Sequence, residues 1–100
     1  MYTIELTDEF REWLKALRDH RGKAKIVSRL RLVGAGSLGD WKPIQGVVSE
    51  MRIRSGPGYR LYFMRRGRVV ILVLAGGDKS SQQADINRAV RIAMELETQA

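Results

Sequence analysis

Glu50, Arg52, Arg54, Arg60, Tyr62 and Lys79 are the residues whose types and spacing could do chemistry in this chain. Glu50, Arg52 and Arg54 alternate with Met51 and Ile53, and Arg60 and Tyr62 alternate with Leu61 and Phe63. In extended backbone the polar set therefore shares one face of a sheet and the apolar set the other. Arginine forks bind phosphate oxygens bidentately, and lysine adds a point charge. Lys79 stands before a helical pattern whose first amides also attract phosphate. The plain reading of such a face is a set of cross-strand ion pairs, Glu50 with Arg60 or Arg52, contributing about 0.2–1 kcal/mol each. That reading suits Glu50 and Arg54. It does not suit the whole set, because arginines gathered on one face repel each other unless an anion offsets them.

Other chemistries lack the residues or the context. There is no cysteine, which removes disulfides, thiolate metal sites and cysteine nucleophiles. The one histidine, His20, lies beside Asp19 and Arg21, where a solvated helix-end cation is the ordinary reading. No His or carboxylate cluster has metal-ligand spacing, so no metal and no cofactor are expected. Ser80 and Ser81 have no nearby base for a hydrolytic triad. Gly34, Gly36 and Gly39 match G-x-G-x-x-G, but a dinucleotide site needs a strand before that motif and a helix after it. Here a helical pattern precedes it, and Asp40 to Pro43 reads as loop.

The candidate residues must be positioned by the stretch from Ser49 to Lys79. It reads as three strands joined by turns at Gly56-Pro57-Gly58 and at Arg66-Gly67. The third, Val69 to Ala75, is apolar on both faces, as a central strand should be. Ahead of it come a short strand from Tyr2 to Leu6 and a helix capped by Thr7, with Phe10, Trp13, Leu14 and Leu17 as its stripe. Trp13 reads as a core anchor. That helix is predicted to run to about His20 and to be broken by Arg21-Gly22. A second helix carries Ile26, Val27, Leu30 and Val33 inward and Lys23, Lys25, Arg29 and Arg31 outward, giving an antiparallel hairpin. Ser80 with Gln83 fits a capping box for a last helix, whose stripe is Ile86, Ala89, Val90, Ala93 and Met94. Runs of like elements predict an α+β fold with the helices on one face of the sheet and the arginine-and-tyrosine face left open. Arg60, opposite Leu61 and Phe63, would lie outside the core, so its loss should leave stability nearly unchanged.

One hundred residues allow one domain, 1–100. Hydrophobic content of 44% with 29% charged residues excludes disordered and membrane classes. The acidic start, MYTIELTDEF, is unlike a signal peptide, so the default location is cytoplasmic. Net charge is +7 and the pI about 10.4, which favours a phosphate backbone or an acidic protein partner over a surface that is cationic only for solubility. Between Met51 and Gly77 there are six arginines and no acidic residue.

Three runs carry a family resemblance: GVVSEMRI from Gly46, GPGYRLYF from Gly56, and LAGGDKSSQ from Leu74, with Asp85, Ile86 and Ala89 behind them. Together with the Phe10/Trp13/Leu14 helix and the glycine-bearing loop before Trp41-Lys42, they resemble the RelE/ParE toxin superfamily over nearly the whole chain. The match is closest to its HigB-like addiction-module-killer branch. The resemblance implies a RelE-like domain in which an N-terminal strand and helical hairpin pack on a mainly antiparallel sheet, with a C-terminal helix. It implies the toxin of a type II toxin–antitoxin pair, a helix-turn-helix (HigA-like) antitoxin, and metal-independent cleavage of mRNA at the ribosome, with no membrane partner. In that frame the RNA 2′-hydroxyl is the nucleophile. Arg52 and Arg60 hold the scissile phosphate, and Lys79 binds phosphate or moves a proton. Tyr62 stacks on a base or donates its hydroxyl. Glu50 is either a base or the residue that holds Arg60, and a carboxylate ringed by arginines is better suited to the second role. Arg54, Arg65, Arg66 and Arg68 would bind RNA. Other branches place a catalytic tyrosine or histidine near the C-terminus, where this chain has Leu96-Glu-Thr-Gln-Ala. The alternative is therefore a ParE-like, non-catalytic inhibitor of DNA gyrase.

Overall fold

The alternating stretch folds as three antiparallel strands, and the computed structural model describes residues 1–99 around them. In chain order the elements are β1 (Thr3–Leu6), α1 (Asp8–Ala16), α2 (His20–Gly34), β2 (Trp41–Gln45), β3 (Val48–Ile53), β4 (Tyr59–Arg66), β5 (Val70–Asp78), a 3-10 turn (Lys79–Ser81) and α3 (Gln82–Thr98). One five-stranded sheet has the spatial order β1-β5-β4-β3-β2. Only β1 and β5 run parallel; the other three pairings are antiparallel. The fold is α+β, as the sequence implies.

Strand alternation sorts the core into two layers. Met51, Ile53, Tyr59, Leu61, Phe63, Ile71 and Val73 face the α1–α2 hairpin and meet Phe10, Ile26 and Val33. Val48, Tyr62, Met64, Leu72, Leu74 and Ala75 face the other way and meet Ile86, Ala89 and Ala93 of α3. The expectation of helices on one face is thus corrected: α3 covers much of the face expected to stay open. The physical reason is the β5 sequence, which is apolar on both faces and would leave Leu72 and Leu74 in water without α3.

Local chemistry explains the remaining departures. The Thr7 hydroxyl caps α1 by accepting from the Phe10 amide at 3.1 Å and donates to the Leu74 carbonyl at 2.7 Å. The helix ends at Ala16 rather than His20, because Asp19 caps a new helix by accepting from the Gly22 amide at 3.0 Å. Arg21 and Gly22 therefore open α2 instead of breaking α1. Gly22 is there for close packing, since a Cβ would lie 2.5 Å from the Tyr59 ring. Trp41 to Gln45 form an edge strand where a loop was expected; Pro43 is tolerated because an edge strand has a side with no ladder bond to lose. The capping box does not form. Asp78 accepts from the Ser80 amide at 2.8 Å, and the Ser81 hydroxyl donates to Asp85 at 2.5 Å.

A bulge in β5 decides what its glycines do. Tyr62 pairs with Ala75 and Phe63 with Val73, so Leu74 is extra and the alternation resets there. Gly76 then lies under Trp13, and Gly77 lies under the Asp85 carboxylate, where a Cβ could not fit. Trp13 also meets Phe10 and Tyr59, with ring centroids 5.7 and 6.1 Å away, as a core anchor should. Among the described residues no helix is long and apolar enough to cross a membrane.

Candidate functional site

Cross-strand register brings Glu50, Arg52, Arg60 and Tyr62 together. Glu50 pairs with Tyr62 and Arg52 with Arg60 across β3 and β4, all on the α3 side. Arg60 in turn pairs with Gly77 of β5, whose missing side chain makes way for the Asp85 carboxylate. Lys79 follows at the end of β5. A Cβ on Gly58 would lie 3.7 Å from both the Arg60 Nη1 and the Lys79 Cβ, so these two basic residues flank the β3–β4 turn.

Glu50 is the centre of the cluster and is fully buried. Its Oε2 accepts from Gln82 Nε2 at 2.9 Å and lies 3.5 Å from Arg60 Nε, while Oε1 lies 3.9 Å from Arg52 Nε. Those ion-pair distances suffice for charge attraction but exceed a good hydrogen bond. Glu50 Oε1, Arg52 Nε, Arg60 Nε and the Tyr62 hydroxyl are accordingly buried with no hydrogen-bond partner. The carboxylate and the two guanidiniums thus form a tight charged cluster held by attraction rather than by well-formed hydrogen bonds. The Arg60 side chain is 13% exposed and that of Arg52 37%, so the two guanidiniums lead from the buried carboxylate outward. Arg60 Nη1 is steadied by donating to the Gly58 carbonyl at 3.3 Å.

Two expectations change here. Arg60 does lie opposite Leu61 and Phe63, but it is not free of the core, because it balances a buried carboxylate; its removal would leave Glu50 undercompensated. Tyr62 is fully buried, which closes base stacking to it and leaves only its hydroxyl. Burial, then the charges of Glu50 and Asp85, push that phenol far above its usual range, so it is a proton donor and not a base.

The other basic candidates lie elsewhere. Arg54 is exposed beside Arg52 and pairs with Asp40 at 3.4 Å. Arg65 sits over the rings of Trp41 and Tyr2 at 5.1 and 5.8 Å. Arg66 is 4.0 Å from Glu5, and Arg68 is exposed in the β4–β5 turn. Arg66 stands six positions beyond Arg60 on β4, roughly 20 Å along the strand. His20 opens α2, on the opposite side of the sheet from Glu50. Among the described residues no three His, Cys, Asp or Glu side chains converge to hold a metal.

Three supporting residues escaped the sequence reading. Gln82, which holds Glu50, ends the LAGGDKSSQ run but showed no role there, because nothing local links it to a strand. Asp85 is buried, accepts from Arg88 at 2.6 Å and fixes the start of α3 over Gly77; a carboxylate one position before the inward-facing Ile86 was the available clue. Arg29, read as an outward charge, donates to the carbonyls of Leu38, Asp40 and Arg52 at 2.8–3.2 Å, pinning the loop before β2 to the end of β3.

The α+β domain, with its hairpin on one sheet face and its C-terminal helix, matches the RelE fold. The structure is similar to that of a mutant of the E. coli toxin RelE in its free state, with a TM-score of 0.60 at 20% sequence identity, over 90% of this chain and 95% of that one. The chain belongs to the family described as phage derived protein Gp49-like (DUF891), matched over residues 12–96, which is the RelE/HigB-like toxin branch. It is also 41% identical over 93 residues to an uncharacterized protein of Haemophilus influenzae (strain ATCC 51907 / DSM 11121 / KW20 / Rd), covering 93% of this chain and 94% of that protein.

Proposed function

We propose that this toxin is an endoribonuclease that cuts mRNA, in association with the ribosome, and that a helix-turn-helix antitoxin restrains it in the cytoplasm. The observation that supports this reading is the buried Glu50 carboxylate between Arg60 and Arg52, whose Nε atoms face it without hydrogen-bond partners. A carboxylate that turns the Nε edges of two arginines toward itself leaves their outer edges for another anion, and fixed donors suit a pentacovalent phosphate better than mobile ones. In the proposed reaction the RNA 2′-hydroxyl loses its proton to solvent as its oxygen bonds to phosphorus, and the bond from phosphorus to the 5′-oxygen breaks. The products are a 2′,3′-cyclic phosphate and a 5′-hydroxyl. Arg60 and Arg52 hold the non-bridging oxygens, Glu50 orients Arg60, and Lys79 neutralises the phosphate or protonates the leaving oxygen. Tyr62 acts from beneath, through its hydroxyl, on Glu50. Arg54 would meet the strand next to the scissile step, whereas Arg65, Arg66 and Arg68 would reach only RNA lying well beyond it.

Arg60→Lys tests the reading, because it keeps a positive charge beside Glu50 and loses the planar fork. Cleavage should fall on the order of a hundredfold with the melting temperature nearly retained. The measurement is growth arrest on induction, with RNA ends mapped in wild type and variant. Undiminished cleavage by a folded Arg60→Lys protein would remove this cluster as the active site. Arrest that needs Arg60 but leaves RNA uncut would favour the gyrase-directed reading.

A further inference from the structure

Edge strand β2 adds a basic residue to this cluster that its loop-like sequence conceals. Lys42 pairs directly with Glu50 across β2 and β3, and directly opposed residues project from the same face of a sheet. The neighbours of Lys42 agree. Trp41 meets Phe63 on the hairpin side, with ring centroids 5.9 Å apart, while Ile44 packs with the α3-side core. Alternation then leaves Lys42 on the α3 side. One cross-strand row reads Lys42, Glu50, Tyr62, Ala75, and the row beside it reads Arg52, Arg60, Gly77.

Among the described residues Lys42 enters no ion pair, and it is exposed, whereas Glu50 beside it is fully buried and already flanked by two arginines. From Arg60 the basic groups thus continue outward through Arg52 to the open edge of the sheet at Lys42. Two strand spacings separate β4 from β2, about 10 Å, too far for one phosphate to meet both Arg60 and Lys42. We infer that Lys42 binds a backbone phosphate next to the scissile one, so that the single-stranded RNA crosses the strands and leaves over the β2 edge. The inference rests on the nuclease reading and deepens it by giving the substrate a direction of travel. A lysine on an edge strand also discourages edge-to-edge association, a role that needs a charge but no RNA. The two roles make different predictions.

The test is binding of the purified full-length protein to a single-stranded RNA decanucleotide with 2′-O-methyl groups, which cannot be cut. Lys42→Gln should weaken binding by about fivefold, the upper end for one solvent-exposed ion pair. It should lower the slope of log affinity against log salt by about 0.7, the share of one phosphate on a single strand. A dinucleoside monophosphate, which carries only the central phosphate, should bind wild type and variant alike. The melting temperature should not move, and Lys15→Gln on the far hairpin should change neither affinity nor slope. Unchanged decanucleotide binding by Lys42→Gln would overturn the inference, as would an equal loss for both ligands or the same loss in Lys15→Gln. Association of the variant into oligomers with RNA binding intact would assign Lys42 the edge-protecting role and overturn it as well. Failure of the wild type itself to bind either RNA would overturn the inference, whereas the nuclease reading falls only if induced cells show no RNA cuts, a separate result.

Discussion

Two tyrosines three residues apart on β4 meet carboxylates on opposite faces of the sheet, with opposite results. On the hairpin side the Tyr59 hydroxyl donates to Asp19 at 2.8 Å, and Asp19 also accepts from the Gly22 amide. Those bonds hold Asp19 below the usual carboxylate range, and burial followed by the Asp19 interaction pushes Tyr59 up to about 12. On the α3 side Tyr62 and Glu50 are both buried, yet the Tyr62 hydroxyl and Glu50 Oε1 have no hydrogen-bond partner. The first arrangement is complete within the chain and fastens the hairpin corner to the sheet. The second holds its donors and acceptor face to face at ion-pair rather than hydrogen-bond distance. Asp19 is half-buried and fully hydrogen-bonded, whereas Glu50 is fully buried and held mainly by charge.

The comparison can be broken most forcefully at Arg60. Arg60→Ala should cost about 3–5 kcal/mol, because it strips a buried carboxylate of its nearer charge partner. Adding Glu50→Gln should recover part of that loss in thermal melts while activity stays absent. Equal stability of Arg60→Ala and wild type would show that Glu50 is not held by Arg60. Next in size, Tyr59→Phe should lower stability by about 1 kcal/mol, the worth of one hydrogen bond, with cleavage by the folded fraction unchanged. Tyr62→Phe should do the reverse. Its hydroxyl has no partner to lose, so stability should stay within about 0.5 kcal/mol. Cleavage should drop by a few-fold to about tenfold as the buried Glu50 charge loses the polar hydroxyl beside it. Should Tyr62→Phe destabilise as much as Tyr59→Phe, the contrast between the faces would fail.

Alkaline pH sharpens the same contrast from the structural side. Free tyrosine ionises near 10.0 and Tyr59 near 12, so the unfolded chain releases this proton first. The contribution of Tyr59 is therefore complete below pH 10 and is lost as pH rises through 12, a limb that Tyr59→Phe should flatten in denaturant titrations. Asp19 acts at the other end: its contribution holds above its ordinary 3.8 and is lost only as pH falls through a lower value. The smallest effect belongs to Arg68, exposed in a turn far from Glu50. Arg68→Ala should leave the melt within about 0.5 kcal/mol and leave cleavage of short RNA unchanged. A large activity loss there would move the substrate path to the other end of the sheet.

Local pattern made much of this readable. Alternation on β3 and β4 assigned Glu50, Arg52, Arg60 and Tyr62 to one face, and the helical stripes named Phe10, Trp13, Ile26, Val33, Ile86, Ala89 and Ala93 as core. It failed where a residue answers to something distant in the chain. Gly22 looked like a helix breaker because Tyr59, which needs the space, is thirty-seven positions away. Pro43 looked like loop because only the sheet order makes β2 an edge.

By itself, then, the sequence determined the elements other than β2, the faces of the three central strands and the basic character of one of them, because residue period and turn chemistry act between near neighbours. Only the tertiary structure decided that α3 would bury that face in part, that Glu50 and Tyr62 would lie beneath it with unpaired atoms, and that Lys42 would border the cluster. Those outcomes depend on which surfaces must leave water together. The apolar back of β5 draws α3 across the sheet, and α3 brings Gln82 onto Glu50.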